Sequence, residues 1–171
     1  MADEKALVVY YSRTGNTQKL AGHIAERLGA RLEELHDLNA RLGVWGFFRA
    51  AMHARSKRLT HLRRLQYHPA DYDLVVIGTP VWAWTMTPAV RTYLTRHQGE
   101  LPDKVGFFVT AGGGAMNKTL HEMAEVSGRE PIATLAVTAT GVYRDAVHDQ
   151  LEEFENKLRG QVESQESSRV R

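Results

Sequence analysis

The stretch Ala6–Thr17, which reads ALVVYYSRTGNT, decides the fold of this chain. Its first half, Ala6–Tyr11, is a short and nearly continuous apolar run. Such a run is typical of a strand that is buried on both faces of a parallel sheet. Its second half, Ser12–Thr17, is polar and leads directly into a segment with helical spacing. A buried strand followed at once by a polar loop and a helix indicates an α/β unit.

The loop after this first strand carries groups that bind an anion. Its residues are Ser12, Arg13, Thr14, Gly15, Asn16 and Thr17. Its three hydroxyls, the free N–H groups of the starting helix and the positive end of the helix dipole together favour phosphate. The loop lacks both the Gly-Lys-Ser/Thr of a Walker loop and the Gly-x-Gly-x-x-Gly of a dinucleotide site. We therefore predict a phosphate-binding loop, against the plainer alternative of a polar turn with Thr14 as helix cap.

The remaining elements follow from the same apolar signatures. One more polar strand, suited to a sheet edge, and three further buried strands are predicted over Arg31–His36, Leu74–Gly78, Val105–Thr110 and Ile132–Thr138. Helical spacing and stop signals predict helices over Asn16–Leu28, Thr87–Arg96, Met116–Ser127 and Tyr143–Leu158. Because strands and helices alternate, we predict one doubly wound α/β domain.

The composition excludes several classes of protein. The 171 residues, 43% hydrophobic and 25% charged, are those of an ordinary globular domain. Without cysteine there are no disulfides, thiolate metal sites, iron–sulfur clusters or cysteine nucleophiles. The eight histidines show no metal-binding spacing such as His-Glu-x-x-His, so no metal site is predicted. The acidic start is unlike a signal peptide, and no apolar stretch is long enough for a membrane span; a cytoplasmic location is expected.

The irregular part of the chain is an insert at about residues 39–68, between the second and third strands. From Leu38 to Ala70 there is no acidic residue but seven arginines and lysines. A helix over Val44–Arg58 is expected, with its aromatic side chains on the domain or in a homodimer surface. The basic stretch Arg55–Arg64 is either a solvated helix face or a guide for an acidic partner, a nicotinamide phosphate or a membrane surface. Nucleic acid binding is not expected, since no recognisable motif accompanies the charge.

Two more loops follow the third and fourth strands, at the sheet edge where an open parallel sheet binds ligands. They contain Thr79, Pro80, Val81, Trp82, Ala83 and Trp84, and then Thr110, Ala111, Gly112, Gly113 and Gly114. In order and spacing, the three loops resemble those of the flavodoxin family. The resemblance extends to small quinone reductases and protoporphyrinogen-oxidase-like flavoproteins.

The resemblance implies a flavodoxin-like three-layer sandwich, with a five-stranded parallel sheet of order 2-1-3-4-5. Residues 1–160 would form the FMN-binding domain, and residues 161–171 a frayed polar tail. The first loop would hold the FMN phosphate, and the other two the edges of the isoalloxazine ring. Either Trp82 or Trp84 would stack on the ring. The glycines at Gly112–Gly114 would let the backbone approach it.

Three functions are compatible with this resemblance. The first is an FMN-dependent oxidoreductase that passes electrons from NAD(P)H to a quinone-like acceptor. The second is a flavodoxin-type shuttle between redox-protein partners, which the sequence pI of about 9.0 disfavours because such shuttles are strongly acidic near the flavin. The third is a non-catalytic regulator, against which the intact hydroxyls of the first loop argue. No general acid or base is identified, and fold resemblance alone does not select the reaction.

Overall fold

The structure of the protein, a computed structural model, describes residues 4–38, 59–143 and 147–160. The strands within these ranges are β1 (Ala6–Tyr10), β2 (Arg31–Glu34), β3 (Leu74–Trp82), β4 (Thr85–Met86), β5 (Lys104–Ala111) and β6 (Ala133–Thr138). The α-helices are α1 (Asn16–Leu28), α2 (Pro88–Arg96), α3 (Met116–Ser127) and α4 (Val147–Leu158). In the described ranges, no helix has the length and apolarity needed to cross a membrane.

Five strands form one parallel sheet in the order β2-β1-β3-β5-β6, and β4 pairs antiparallel with β3. With the short β4 set aside, this is the predicted order 2-1-3-4-5, so the predicted fold class is confirmed. The strand order reverses between β1 and β3. The carboxyl ends of these two strands therefore frame the crevice in which doubly wound sheets bind ligands.

The core lies on both faces of the sheet because consecutive strand residues point to opposite sides. Phe108 belongs to the cluster covered by α1 and α4, with Ile24 and Phe154 among its members. Phe107 belongs to the opposite cluster, which is covered by α2 and α3 and includes Tyr93. Burial on both faces explains why the strand sequences are continuous apolar runs rather than alternating ones.

Gly78, in the middle of β3, is required by the packing of the sheet. A Cβ atom placed there would lie 1.9 Å from the ring of Phe108, which is fully buried on the neighbouring strand β5. The Phe108 ring therefore lies directly over the backbone of Gly78. The missing side chain at Gly78 leaves room for this ring just below the strand ends that carry the site.

The structure corrects the predicted end of the third strand. β3 does not stop at Gly78 but continues to Trp82, and a two-residue turn connects it to β4. The extension forms because Thr79 and Pro80 stay in register with Val109 and Thr110 of β5. Part of the predicted loop is therefore a β-hairpin.

The other boundaries shift by a few residues. The second strand ends at Glu34 rather than His36, and the last strand begins at Ala133 rather than Ile132. The segment Gly141–Tyr143, predicted to reach the start of the final helix, forms a 3-10 turn, and the described part of that helix is Val147–Leu158. These differences fall at element ends, where competing local hydrogen bonds decide the boundary.

The chain returns from the insert beside the residues that directly follow β2. The Leu38 N–H donates to the His61 carbonyl at 2.8 Å, and the Arg63 N–H donates to the His36 carbonyl at 2.9 Å. The carboxylate of Glu33, 7% exposed, accepts backbone N–H groups of the returning segment at 3.0 and 2.9 Å. Leu62, Leu65 and Tyr67 of this segment pack against the core cluster that contains Tyr93. The expected helix Val44–Arg58, its aromatic side chains and the polar tail lie outside the described residues.

Candidate functional site

A cleft of about 290 Å³ opens at the carboxyl ends of the central strands. Its lining comes from the first loop, from the β3 hairpin, from the loop after β5, and from the residue after β6: Arg13, Thr14, Asn16, Thr17, Pro80, Val81, Trp82, Thr110, Ala111, Gly112 and Ala139. The structure thus brings the three predicted loops together at one site. The volume is near the lower end of the range for small-molecule sites.

The first loop leads into the N-terminus of α1 without a side-chain cap. Gly15 caps the helix in the left-handed conformation (φ 91°), and no side chain occupies the cap position. Instead, Ser12 Oγ accepts a hydrogen bond from the Gly15 N–H at 3.2 Å, and this bond closes the turn that precedes the helix. The first N–H groups of an α-helix have no partner within the helix and carry its positive dipole end. Together with exposed Thr14, they make a surface whose chemistry suits an anion.

The first loop is joined to the third by a buried hydroxyl pair. Thr17 and Thr110 are 2% and 3% exposed, and their Oγ1 atoms lie 2.8 Å apart. Either oxygen can donate in this bond. The pair fixes the start of α1 against the end of β5 and places two hydroxyls at the base of the cleft.

Trp82, at the end of β3, forms an aromatic wall of the cleft. Its ring packs edge-on against Tyr11, with centroids 5.5 Å apart and an interplanar angle of 88°. The guanidinium carbon of Arg13 lies 6.0 Å from the centroid of the same indole. Trp84, in contrast, is 65% exposed and is not among the residues that line the cleft. Of the two tryptophans, only Trp82 therefore faces the cleft.

The hairpin that presents Trp82 contains two strained residues. Ala83 and Trp84 have φ angles of 47° and 64°, a conformation that favours glycine or asparagine. Thr79 stabilises the base of the hairpin. Its Oγ1 accepts a hydrogen bond at 3.2 Å from the N–H of Thr87, the residue that precedes α2. Thr79 is fully buried, so its hydroxyl anchors the hairpin and does not face the cleft.

A buried ion pair connects the hairpin to the helices beneath it. The Arg91 guanidinium of α2 donates to Glu122 Oε1 of α3 at 2.7 Å and to Thr85 Oγ1 of β4 at 2.8 Å. The Thr85 hydroxyl also donates to the Glu122 carboxylate. Arg91 and Glu122 are 5% and 8% exposed. This network ties β4 to the helix that follows the glycine-rich loop, and it gave no recognisable signal in the sequence.

Seven of the predicted site residues do not line the cleft: Ser12, Gly15, Thr79, Ala83, Trp84, Gly113 and Gly114. Most of them shape the loops that carry the lining residues. Ala139 does line the cleft but was not predicted; its N–H donates to the Ala111 carbonyl at 2.7 Å. Its position directly after the last parallel strand was the available signal, because that strand ends at the same edge of the sheet.

The electrostatic character of the cleft is mildly positive. Among the described residues that line it, Arg13 is the only one with a formal charge. Burial, and secondarily the nearby Asp37 carboxylate, raise the pKa of the Tyr11 phenol behind Trp82 above its usual value. The phenol therefore stays neutral at physiological pH. The arrangement suits an anionic ligand that also carries a flat aromatic ring.

Comparison with solved structures shows the same fold in flavoproteins. A flavoprotein from Lactobacillus acidophilus NCFM, solved in complex with FMN, is 22% identical, with 87% of this chain and 99% of that chain covered and a TM-score of 0.64. An NADH:FMN oxidoreductase is 17% identical over 96% and 94%, with a TM-score of 0.55. The two-electron reduced flavodoxin of Megasphaera elsdenii is 19% identical over 91% and 98%, with a TM-score of 0.56.

No curated protein matches the chain in sequence. A family of sequences described as NADPH-dependent FMN reductase does match, over residues 5–143. The matched range begins just before β1, includes all the strands described above and every residue that lines the cleft, and ends before α4. This chain therefore belongs to the NADPH-dependent FMN reductase family.

Proposed function

We propose that the protein binds FMN in this cleft, accepts a hydride from NADPH or NADH, and passes two electrons to a quinone-like acceptor. The observation that carries the proposal is the meeting, in one cleft, of an uncapped helix N-terminus and a single indole wall. These match the two chemically different ends of FMN, a phosphate and a flat amphipathic ring. Bound FMN would supply the hydride-accepting chemistry.

The phosphate end has its counterpart in the first loop. The N–H groups at the start of α1 and the hydroxyls of Thr14 and Thr17 would hold the phosphate oxygens. Thr17 would do so by rotating its hydroxyl away from Thr110. Arg13 is close enough to the cleft to add a positive charge.

The ring end has its counterpart between the other two loops. Trp82 would contact the isoalloxazine ring by stacking or with the edge of its indole. Gly112 would allow backbone groups to approach the polar edge of the isoalloxazine. Tyr11 supports the indole from behind, so the wall is fixed before the ring arrives. Trp84 points away from this space and would not contact the ring.

The charge of the cleft supports an enzyme over a shuttle. The family resemblance implies acidic residues around the flavin of an electron shuttle, whereas the described lining here carries one arginine and no carboxylate. A positive environment attracts the phosphates of a nicotinamide cofactor. It also stabilises negative charge on a reduced cofactor.

The test is spectroscopic. The purified protein should take up one FMN, which should be bleached by NADPH or NADH under anaerobic conditions and reoxidised by an added quinone. Bleaching that requires a separate reductase protein would favour the shuttle. Failure to take up FMN would refute the proposal.

The phosphate site can be tested with a matched pair of variants. Thr14→Asp adds a negative charge where the phosphate would bind and should weaken FMN binding by at least about tenfold, equivalent to about 1.4 kcal/mol. Thr95→Asp makes the same change at an exposed position near the C-terminal end of α2 and should leave FMN affinity unchanged. Equal FMN affinity in the two variants would contradict the assignment of the first loop.

A further inference from the structure

Three potential metal ligands converge at the opposite edge of the sheet from the cleft. His68 immediately precedes the 3-10 turn Pro69–Asp71 that leads into β3, and His97 caps the C-terminus of α2. Glu100 follows in the next turn of the chain. One ligand atom from each of the three side chains lies within 4.8 Å of the other two.

The carboxylate of Glu100 lies between the two imidazole rings. Glu100 Oε2 is 2.5 Å from His97 Nδ1 and 3.4 Å from His68 Nε2. The two rings meet edge to face, with centroids 5.6 Å apart. The His97 ring also packs 4.7 Å from the ring of Tyr93, which is fully buried. One ligand is thus held by the core, while the other two are about half exposed and free to adjust.

We propose that His68, His97 and Glu100 form a binding site for Zn²⁺. Two imidazole nitrogens and one carboxylate oxygen are a donor set that zinc accepts, with water in the fourth position of a tetrahedral site. Ligand bonds of about 2.0–2.2 Å place neighbouring donor atoms roughly 3.4 Å apart. The Glu100–His68 distance already has this value, and the shorter Glu100–His97 distance needs only a side-chain rotation.

Binding of the metal requires a change of tautomer at both histidines. His97 Nδ1 is hydrogen-bonded to the Glu100 carboxylate at 2.5 Å, so a metal on this nitrogen would leave the ring proton on Nε2. His68 Nδ1 accepts the Ala70 N–H at 3.4 Å, so its proton sits on Nε2, the atom nearest Glu100. A metal on Nε2 would move this proton to Nδ1 and give up that long, exposed hydrogen bond.

The site is independent of the proposed function. It shares no residue with the lining of the cleft and lies where β3 begins rather than where it ends. A bound ion would link the segment that enters β3 to the C-terminus of α2, and binding to the folded state alone would stabilise it. The sequence gave no sign of it because His68 is far along the chain from the other two ligands.

The experiment is a calorimetric titration of the chelator-treated, tag-free full chain with Zn²⁺. One site is expected, with no comparable binding of Mg²⁺ or Ca²⁺, which prefer oxygen ligands. His68→Asn, His97→Asn and Glu100→Gln should each weaken it at least about tenfold, since even outer groups of metal sites cost this much. Zn²⁺ should raise the melting temperature of the parent protein but not of these variants.

A control is available on the surface of α3. His121 and Glu125 form an exposed pair, 3.6 Å apart, with no third ligand beside them in the part of the chain that the structure describes. His121→Asn should leave the Zn²⁺ affinity unchanged. A decrease confined to one of the three ligand substitutions, or one equalled by His121→Asn, would overturn the proposal. Uptake of FMN is measured in parallel and should be the same in all four variants, which separates this test from that of the proposed function.

Discussion

Replacing Arg91 by methionine tests the role of the buried ion pair beneath the hairpin. The change removes two hydrogen bonds, of 2.7 and 2.8 Å, and leaves the carboxylate of Glu122 buried without its guanidinium. Breaking one side of such a pair costs about 3–5 kcal/mol. Arg91 Nε has no hydrogen-bond partner among the described residues, and methionine relieves that defect. We therefore expect a loss near the lower limit, about 3 kcal/mol.

The assay is equilibrium unfolding in guanidinium chloride, with the m-value checked for two-state behaviour. The double variant Arg91→Met/Glu122→Leu removes both charges and should recover stability to within about 1 kcal/mol of the parent protein. The same network holds β4, so FMN affinity in Arg91→Met should fall as well. A loss of stability below about 1 kcal/mol, or a double variant as unstable as the single one, would refute this account of the pair.

Three further predictions concern single side chains. Trp82→Ala should weaken FMN binding in a fluorescence titration. Trp84→Asn should leave FMN binding unchanged and should raise the free energy of unfolding by about 1 kcal/mol, because asparagine tolerates the left-handed conformation better than tryptophan. Weaker FMN binding in Trp84→Asn but not in Trp82→Ala would show that Trp84, and not Trp82, contacts the ring. Gly78→Ala should cost about 3 kcal/mol in denaturant because its Cβ would collide with the Phe108 ring, and a neutral effect would contradict the packing. Burial, and then the Glu34 carboxylate, raises the pKa of Tyr10 to about 12, above its unfolded value near 10. The free energy of unfolding should therefore fall as the pH rises between these two values, and it should fall less steeply in Tyr10→Phe. The same pH dependence in the parent protein and in Tyr10→Phe would exclude this linkage.

The sheet could be predicted from the sequence because strands that are buried on both faces consist almost entirely of apolar residues. Runs such as Leu74–Gly78 contain only residues that tolerate complete removal from water. The position of the first loop could be predicted in the same way. A helix that begins directly after a buried strand starts with N–H groups that have no partner within the helix. These features are local in sequence, and local chemistry was sufficient to place them.

The details of the site depended on contacts between distant parts of the chain. Trp82 and Trp84 could not be distinguished before the hairpin was known, because the turn at Ala83 determines which indole faces the cleft. The buried role of Thr79 likewise follows from its contact with Thr87. The three-ligand cluster around Glu100 depends on the approach of two segments that adjoin different elements. Such facts follow from tertiary packing, on which sequence periodicity carries no information.

The bond between Thr17 and Thr110 has a consequence for the protein before any ligand arrives. Each hydroxyl is the hydrogen-bond partner of the other, so this pair adds no unpaired buried polar group at the base of the cleft and no cost of that kind to folding. When a phosphate binds, the Thr17 hydroxyl would exchange its hydrogen bond with Thr110 for one with the phosphate, so the number of its hydrogen bonds would not increase. The net gain from Thr17 would then be modest, and much of the affinity for the anion would come from the helix N-terminus, whose first N–H groups have no partner within the helix.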